Sequence, residues 1–305
     1  MTNSIRLTIP ASSGNLGPGF DTMGIAVNLH NTFELSLRDS DTTLDHAEGI
    51  DPSLHELCLE VAKTAAQYFF EQSGVSSSHF SLRVFNRIPI ARGLASSATF
   101  RLAVLEGLNQ LTGAGVPHRD IVKWASELEG CTDNAAACYY GGMTASGIIQ
   151  DRLVYYRCEI PETVDFVAVS PNSAVETDKA RGIFARELPR KDAIFTLNHG
   201  ILLAMAFAQG DYEGMRGLFE DKIHQPQRQA HIPALQPLFD VITAAETAGA
   251  VGAYLSGSGS TMMAVTLRNK EAVAQAMTQA LAQRGMQAEI RYLKADNRGL
   301  TWEWV

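Results

Sequence analysis

The sequence predicts a mixed α+β protein of two domains, and three observations carry that expectation. Its 305 residues exceed the roughly 100–200 of a single domain. Short stretches such as Ile5-Leu7-Ile9, Phe33-Leu35-Leu37 and Phe80-Leu82-Val84 alternate apolar and polar residues with the period of a half-buried strand. Between them lie longer segments with apolar residues at helical spacing. The grouping of these elements places one domain at 1–150 and a second at 151–305.

The elements follow in order. A strand over 5–9 leads into the turn-rich PASSGNLGPGFDTMG of 10–24, and a second strand covers 25–37. Residues 54–70 read as an amphipathic helix with Leu54, Leu57, Val61, Ala65 and Tyr68 on its apolar side. A strand over 80–84 precedes helices over 97–111 and 119–129. The second half begins with strands over 152–156 and 165–170. Helices are expected over 191–209, 212–220 and 235–248. Strands over 252–255 and 261–267 flank a serine-glycine turn, and a helix over 270–284 leads to a last strand at 288–293. No repeat, charge block or low-complexity linker interrupts the chain.

Composition narrows the function classes. With 46% hydrophobic and 19% charged residues, the chain can bury a substantial core without staples. A net charge of -8 lacks the basic footprint of a nucleic-acid binder, so no nucleic-acid partner is expected. A phosphate ligand stays open, because backbone amides and a few local cations suffice to hold one. Four cysteines without a CxxC pair are too sparse for a disulfide scaffold and fit a reducing compartment. The opening MTNSIRLTIP has no apolar core behind a basic start, so no signal peptide is expected. The apolar stretch at 200–208 is too short to span a membrane. A soluble, cytoplasmic protein with no membrane partner is the expectation.

Several segments carry chemistry. In IPIARGLASSAT, 88–99, a strand ends, Gly93 frees the backbone, and Ser96 and Ser97 stand where a helix begins. A helix N-terminus offers unpaired amides and a positive dipole, and the hydroxyls add ligands for phosphate or Mg2+. The same serines equally suit simple capping of a buried helix. No GxxxxGK[ST] or GxSxG is present, which excludes a Walker A site and a hydrolase elbow. GNLGPGFDTMG, 14–24, makes a tight turn with Asn15 and Asp21 as its polar side chains, or a plain connecting loop. YLSGSGSTMMAV, 254–265, reads as a hairpin or as a rim over a polyphosphate. ELEGCTDN, 127–134, offers Glu127, Glu129, Asp133 and Asn134 as oxygen ligands for Mg2+, or as a solvated helix end. ETDKAR, 176–181, and DKIHQPQR, 221–228, each hold an arginine suited to bidentate recognition of a carboxylate, though surface arginines are common.

In this order the segments resemble the GHMP kinase superfamily, and the GNLGPGFD, ETDKAR and IHQPQR forms resemble its homoserine kinase branch. The resemblance runs from about residue 8 to about residue 265. It implies a ribosomal-S5-like N-terminal domain, a ferredoxin-like C-terminal domain and an active site between them. It implies ATP as phosphoryl donor, with the triphosphate over Pro89, Ile90, Ala91, Arg92, Gly93, Leu94, Ala95, Ser96, Ser97, Ala98 and Thr99. Mg2+ falls near Ser97 and Glu129. The small-molecule partner implied is L-homoserine, near Asn15, Asp21, Arg181, Arg228 and Gly257, giving O-phospho-L-homoserine for threonine biosynthesis. Asp21 and Asn134 fall at the catalytic positions; Asn134 stands where mevalonate-type relatives carry an aspartate. His224 is expected to position Arg228, and a homodimer is implied by the family alone.

Four residues depart from the family pattern. Cys131-Thr132 replaces a usual His-Pro, Ala95 a usual glycine, and Ser260 a usual proline. Ala95 is tolerable at negative φ and strained at positive φ. The missing histidine keeps two alternatives in view: a GHMP kinase for another small alcohol such as threonine, and a catalytically silent ligand sensor.

Overall fold

The computed structural model describes residues 4–172, 182–185 and 187–305. Two sheets carry the fold. The first contains β1 (Ser4–Gly14), β2 (Met23–Arg38), β3 (Thr43–Glu48), β4 (His79–Phe85), β5 (Met143–Ile149), β6 (Arg152–Cys158) and β11 (Thr301–Trp304). Its order is β11-β1-β2-β4-β3, with β5 paired to β2 and β6 to β5. β3 and β4 are parallel and the other pairs antiparallel. The second sheet is antiparallel, in order β10-β7-β9-β8, from β7 (Asp165–Pro171), β8 (Gly252–Leu255), β9 (Met262–Thr266) and β10 (Ala288–Leu293).

Helices α1 (His55–Ser73), α2 (Ser96–Thr112), α3 (His118–Glu129) and α4 (Asp133–Tyr140) pack with the first sheet. Phe33, Leu35, Phe80 and Leu82 meet Phe69, Leu105 and Trp124 in one core there. The later helices are α5 (Arg190–Gln209), α6 (Gln225–His231), α7 (Asp240–Thr247) and α8 (Lys270–Ala282). Strand alternation divides the second sheet's side chains between two cores. Val167, Val169, Met262 and Ala264 face α7 and α8. Phe166, Ala168, Met263 and Val265 join Ala11, Ile25 and Val27 of the first sheet and Leu203 and Phe207 of α5. That second core cements the two sheets, each buried large side chain contributing about 1.5–3 kcal/mol. The strand–helix order of the second unit and its sheet order are those expected of a ferredoxin-like domain.

Several expectations change. The buried stripe of α1 is Cys58, Ala62, Ala65, Ala66 and Phe69, so Leu57 is half exposed at 52%. The segment 212–220 holds only a 3-10 turn, Glu213–Met215, because Gly214 and Gly217 disfavour a continuing helix. The segment 235–248 divides into a 3-10 turn, Gln236–Phe239, and α7, with Pro237 in the first turn of the 3-10 element, where a helix has no amide bond to lose. Five elements come without a sequence expectation. β3 is a polar strand at the sheet edge, and α4 is alanine-rich without a polar face. β5 and α6 are each seven residues long, and β11 pairs with β1 as the last strand of the chain. Residue 150 falls inside the β5–β6 hairpin, and β6 and β11 both belong to the first sheet. No helix among the described residues is long and apolar enough to cross a membrane.

Candidate active site

The three glycine-rich loops interlock. Gly257 N donates to Gly14 O at 3.1 Å, and Thr261 N donates to Arg92 O at 3.0 Å. Ser256 Oγ donates to Gly93 O at 2.6 Å and bonds Ser13 Oγ at 2.7 Å. This approach explains Gly93, where φ is +76° and a Cβ would lie 2.1 Å from Ser256 O. At Gly14 a Cβ would lie 2.2 Å from the Asp133 carboxylate, so only hydrogen lets α4 sit against β1.

A cavity of about 500 Å³ opens beside these loops. It brings together Asn15, Asp21, Ile90, Ala91, Arg92, Gly93, Ala95, Ser96, Ser97, Glu129, Asn134, Arg228 and Gly257 from the sequence expectation. The rest of that set falls elsewhere. Pro89 lines a smaller neighbouring cavity, and Leu94 is buried in the core between the sheets. Ala98 and Thr99 are buried within α2, where Thr99 Oγ1 donates to Ser96 O at 2.7 Å. Arg181, with ETDKAR, lies outside the described residues.

One part of the cavity is built on helix ends. α2 begins at Ser96 and α4 at Asp133, and neither first turn has a side-chain cap among the described residues. Their amides and dipoles favour an anion beside Ser96 and Ser97. Ser97 Oγ donates to Glu129 Oε2 at 3.0 Å, and Arg101 closes on the same carboxylate. A hydroxyl beside a carboxylate is a hard-oxygen pair that fits Mg2+. Glu127 serves elsewhere, accepting from Tyr68 OH at 2.6 Å with Lys123 nearby. The neighbouring wall is apolar: Leu57, Cys58 and Val61 of α1, with Ile90, Phe100 and Leu128. Ile90 apart, sequence reasoning assigned this wall to no site. Its one signal was an α1 with more apolar positions than a single buried stripe uses.

Ala95 sits at φ 63° and ψ 31°, immediately before α2, so the strained case applies. A left-handed alanine costs about 1–2 kcal/mol, and a glycine there loses about 0.5–1 kcal/mol in chain entropy. The methyl is only partly buried, so Ala95→Gly is expected to stabilise the protein by up to about 1 kcal/mol. Urea unfolding checks this, and a lowered midpoint would show that the methyl's packing outweighs its strain.

The other part of the cavity is polar and more tightly braced. The Asn15 carboxamide accepts from Asp21 N at 3.0 Å and donates to Gly257 O at 3.0 Å, tying the first loop to the third. Arg228 Nη1 donates to Gly257 O at 2.6 Å and to His224 Nδ1 at 3.0 Å. The guanidinium lies over Phe20 and Phe184, 5.6 and 5.3 Å from ring centroids that are themselves 5.0 Å apart in an edge-to-face pair. Asn134 Oδ1 accepts from Ser12 Oγ at 3.0 Å. Cys131 lines the same region, and one ligand atom from each of Asp21, Cys131 and Asp133 lies within 4.8 Å of the others. A thiol is a poor partner for a hard cation, so this trio fits Mg2+ less well than Ser97 with Glu129. Thr132 is buried and structural, donating to Ser146 O at 2.9 Å.

His224 does hold Arg228. It is fully buried, its Nε2 bonds Gly17 O at 2.8 Å, and it stacks on Phe20. Burial drives its pKa down to about 4, with the Arg228 charge acting in the same sense and Asp221 opposing. The neutral ring then accepts from Arg228 and donates to Gly17. Below about pH 6.5 the unfolded chain takes up a proton that the folded chain refuses until about pH 4. Stability is therefore expected to fall by roughly 3 kcal/mol across that window and to level off below it. The difference in unfolding free energy between wild type and His224→Gln, followed from pH 7 to 4, measures this. Parallel curves would remove His224 as the cause.

Residues 60–142 match the model of the GHMP kinases N terminal domain, and residues 203–283 that of the GHMP kinases C terminal domain. A homoserine kinase of Carboxydothermus hydrogenoformans is 36% identical over 301 residues, 97% of this chain and 95% of that protein. One of Moorella thermoacetica is 33% identical, over 95% and 97% of the two chains. The crystal structure of homoserine kinase from Cytophaga hutchinsonii superposes with a TM-score of 0.85 at 25% identity, covering 99% of this chain and 98% of that one. The Streptococcus pneumoniae phosphomevalonate kinase shares the fold, with a TM-score of 0.67 at 14% identity over 97% and 100% of the chains.

Proposed function

The chain belongs to the GHMP kinase family, and from that premise we propose that it uses ATP to phosphorylate the side-chain hydroxyl of L-homoserine. The product is O-phospho-L-homoserine, a step of threonine biosynthesis. The observation that carries the reading is one cavity in which uncapped helix N-termini adjoin a braced Asp21–Asn15–Arg228 cluster. An anionic donor and a zwitterionic acceptor each find matching chemistry there. The apolar wall from α1 suits a purine face, and the amides at the start of α2 suit the triphosphate.

In the reaction, the bond from the γ-phosphorus to the hydroxyl oxygen forms as the bond to the β-phosphate oxygen breaks, and the hydroxyl proton passes to the Asp21 carboxylate. Such a transfer needs positioning and charge neutralisation more than covalent help. Asp21 accepts a hydrogen bond from the hydroxyl and turns its lone pair toward phosphorus. Arg228, fixed by Gly257 and His224, holds the acceptor's carboxylate. Asn134 cannot take a proton, and its carboxamide braces Ser12 beside the reacting groups. Ser97 and Glu129 would hold Mg2+, which when bound neutralises charge on the phosphates. None of the four cysteines, all among the described residues, is in a disulfide, which suits a cytoplasmic protein.

ADP release measured with homoserine, threonine, serine and mevalonate tests the reading, with the product identified by phosphorus NMR. Homoserine is expected to exceed the others by about 100-fold or more in kcat/KM, since its hydroxyl must reach across a fixed span from Arg228. A faster threonine reaction would transfer the assignment to a different amino alcohol, the outcome that Cys131 in the acceptor region would explain. No ADP release above the acceptor-free rate with any alcohol would overturn the kinase reading.

A further inference from the structure

A second cavity, of about 290 Å³, adjoins the first across Ile90 and Arg92. Its size is at the lower end for ligand sites, which suits a small ion rather than a nucleotide. Its walls come from both sheets. Asn86, Arg87 and Arg92 follow β4, and Glu289 and Arg291 stand on β10. Arg291 is opposite Ala168 in the pairing of β10 with β7, and Ala168 faces the core between the sheets. Cross-strand partners share a face, so Arg291 points toward the first sheet.

Three guanidinium groups line this cavity with one carboxylate. Arg291 Nη2 pairs with Glu289 at 2.6 Å, while its Nη1 is buried with no hydrogen-bond partner among the described residues. The exposed Arg87 guanidinium has neither a hydrogen bond nor an ion pair there; only its backbone amide is bonded, to Asn31. Arg92 donates to the carbonyls of Ala91 and Asn172, at 3.3 and 3.0 Å, which leave its charge unneutralised. Burial lowers its pKa from the usual value in consequence. Asn86 Nδ2 donates to Gly49 O and Ile88 O at 3.1 and 3.0 Å, which fixes the carboxamide and leaves Oδ1 buried without a partner. Buried donors and acceptors are rarely left unmade, and here cationic donors and one acceptor wait in the same space.

We propose that this cavity is an oxyanion site for hydrogenphosphate, with Arg87 and Arg291 on its charged oxygens and Asn86 Oδ1 accepting from its P–OH. Guanidinium groups supply charge-assisted donors to such oxygens, and the carboxamide selects an anion that still carries a proton. The bound ion joins the loop that carries Arg92 to β10 of the second sheet, behind the residues that line the catalytic cavity. None of these contacts depends on the kinase reading.

Calorimetric titration of the full chain with inorganic phosphate at pH 7 is expected to show one ion bound per chain, with a Kd of about 1 mM or tighter. Saturating Mg2+ and a non-hydrolysable ATP analogue fill the catalytic cavity, and chloride holds the ionic strength constant. Sulfate and methyl phosphate carry little or no proton at this pH, and each is expected to bind about tenfold more weakly. Arg87→Gln is expected to weaken phosphate about tenfold by loss of a charge-assisted bond. Its urea midpoint should not move, because the side chain has no partner to lose. Glu289→Gln is expected to tighten phosphate about threefold, since it removes a repelling charge and releases Arg291 Nη2, a gain that misfolding does not mimic. Methyl phosphate binding as tightly as phosphate would transfer the site to a phosphomonoester, and equal sulfate binding would reduce it to a nonselective cation cluster. Either result overturns the assignment, as would absence of phosphate binding with the nucleotide analogue in place, or indifference to Arg87→Gln.

Discussion

Asp21→Asn is expected to lower kcat by about 10²–10⁴, the range for loss of a positioned proton acceptor. The substitution keeps the size and shape of the side chain and removes its charge and its capacity to take a proton. Asp21 has φ 56°, a region that asparagine tolerates as readily as aspartate. Its backbone amide would keep its bond to Asn15 Oδ1. The loop should therefore hold its shape, and the unfolding midpoint should not move. An asparagine presents an oxygen to the hydroxyl but cannot accept its proton, so kcat and kcat/KM for homoserine should fall together while KM for ATP stays put. Steady-state kinetics in both substrates check this. Wild-type turnover in the variant would remove Asp21 from the chemistry and leave it a loop residue.

Glu129→Gln carries the second large effect. The carboxylate joins Ser97 to Arg101, so the amide would still accept from Ser97 but would lose its charge. The expected result is a fall of about 10²–10³ in kcat/KM for the nucleotide, comparable to removing one preorganised electrostatic group. The Mg2+ concentration for half-maximal rate should rise about tenfold. Glu127→Gln is the matched control, because that carboxylate is occupied by Tyr68 and Lys123 outside the cavity. Should the control lose activity and Glu129→Gln keep it, the metal assignment would move to Glu127.

The two carboxylates show what kind of information the sequence held. They stand two residues apart at the end of α3, and spacing alone offered both as metal ligands. Rotation about the helix separates them by about 200°, so one meets α2 while the other turns to α1. Which of the two met α2 depended on how α3 docks. α1 gives the same lesson. Its helical period was legible, but the buried stripe sits one position around from the expected one, and that rotation of about 100° turned Leu57 from core to cavity wall. β11 left no usable signal because Trp302 and Trp304 are 40% and 50% exposed, and its strand exists through pairing with β1 at the other end of the chain.

By itself the sequence determined the reaction class and the three loops. Glycine at a crowded turn, serines at a helix start and the order of these segments are local properties, governed by φ, ψ and nearest neighbours. Only the tertiary structure decided the rest. It set the bonding of Gly257 to both Asn15 and Arg228, the closure of Arg101 on Glu129, and the grouping of Cys131 with Asp21 and Asp133. It also left one apolar stripe of α5 facing outward. These depend on which surfaces meet across the chain, and hydrophobic periodicity specifies that a face is buried without specifying against what.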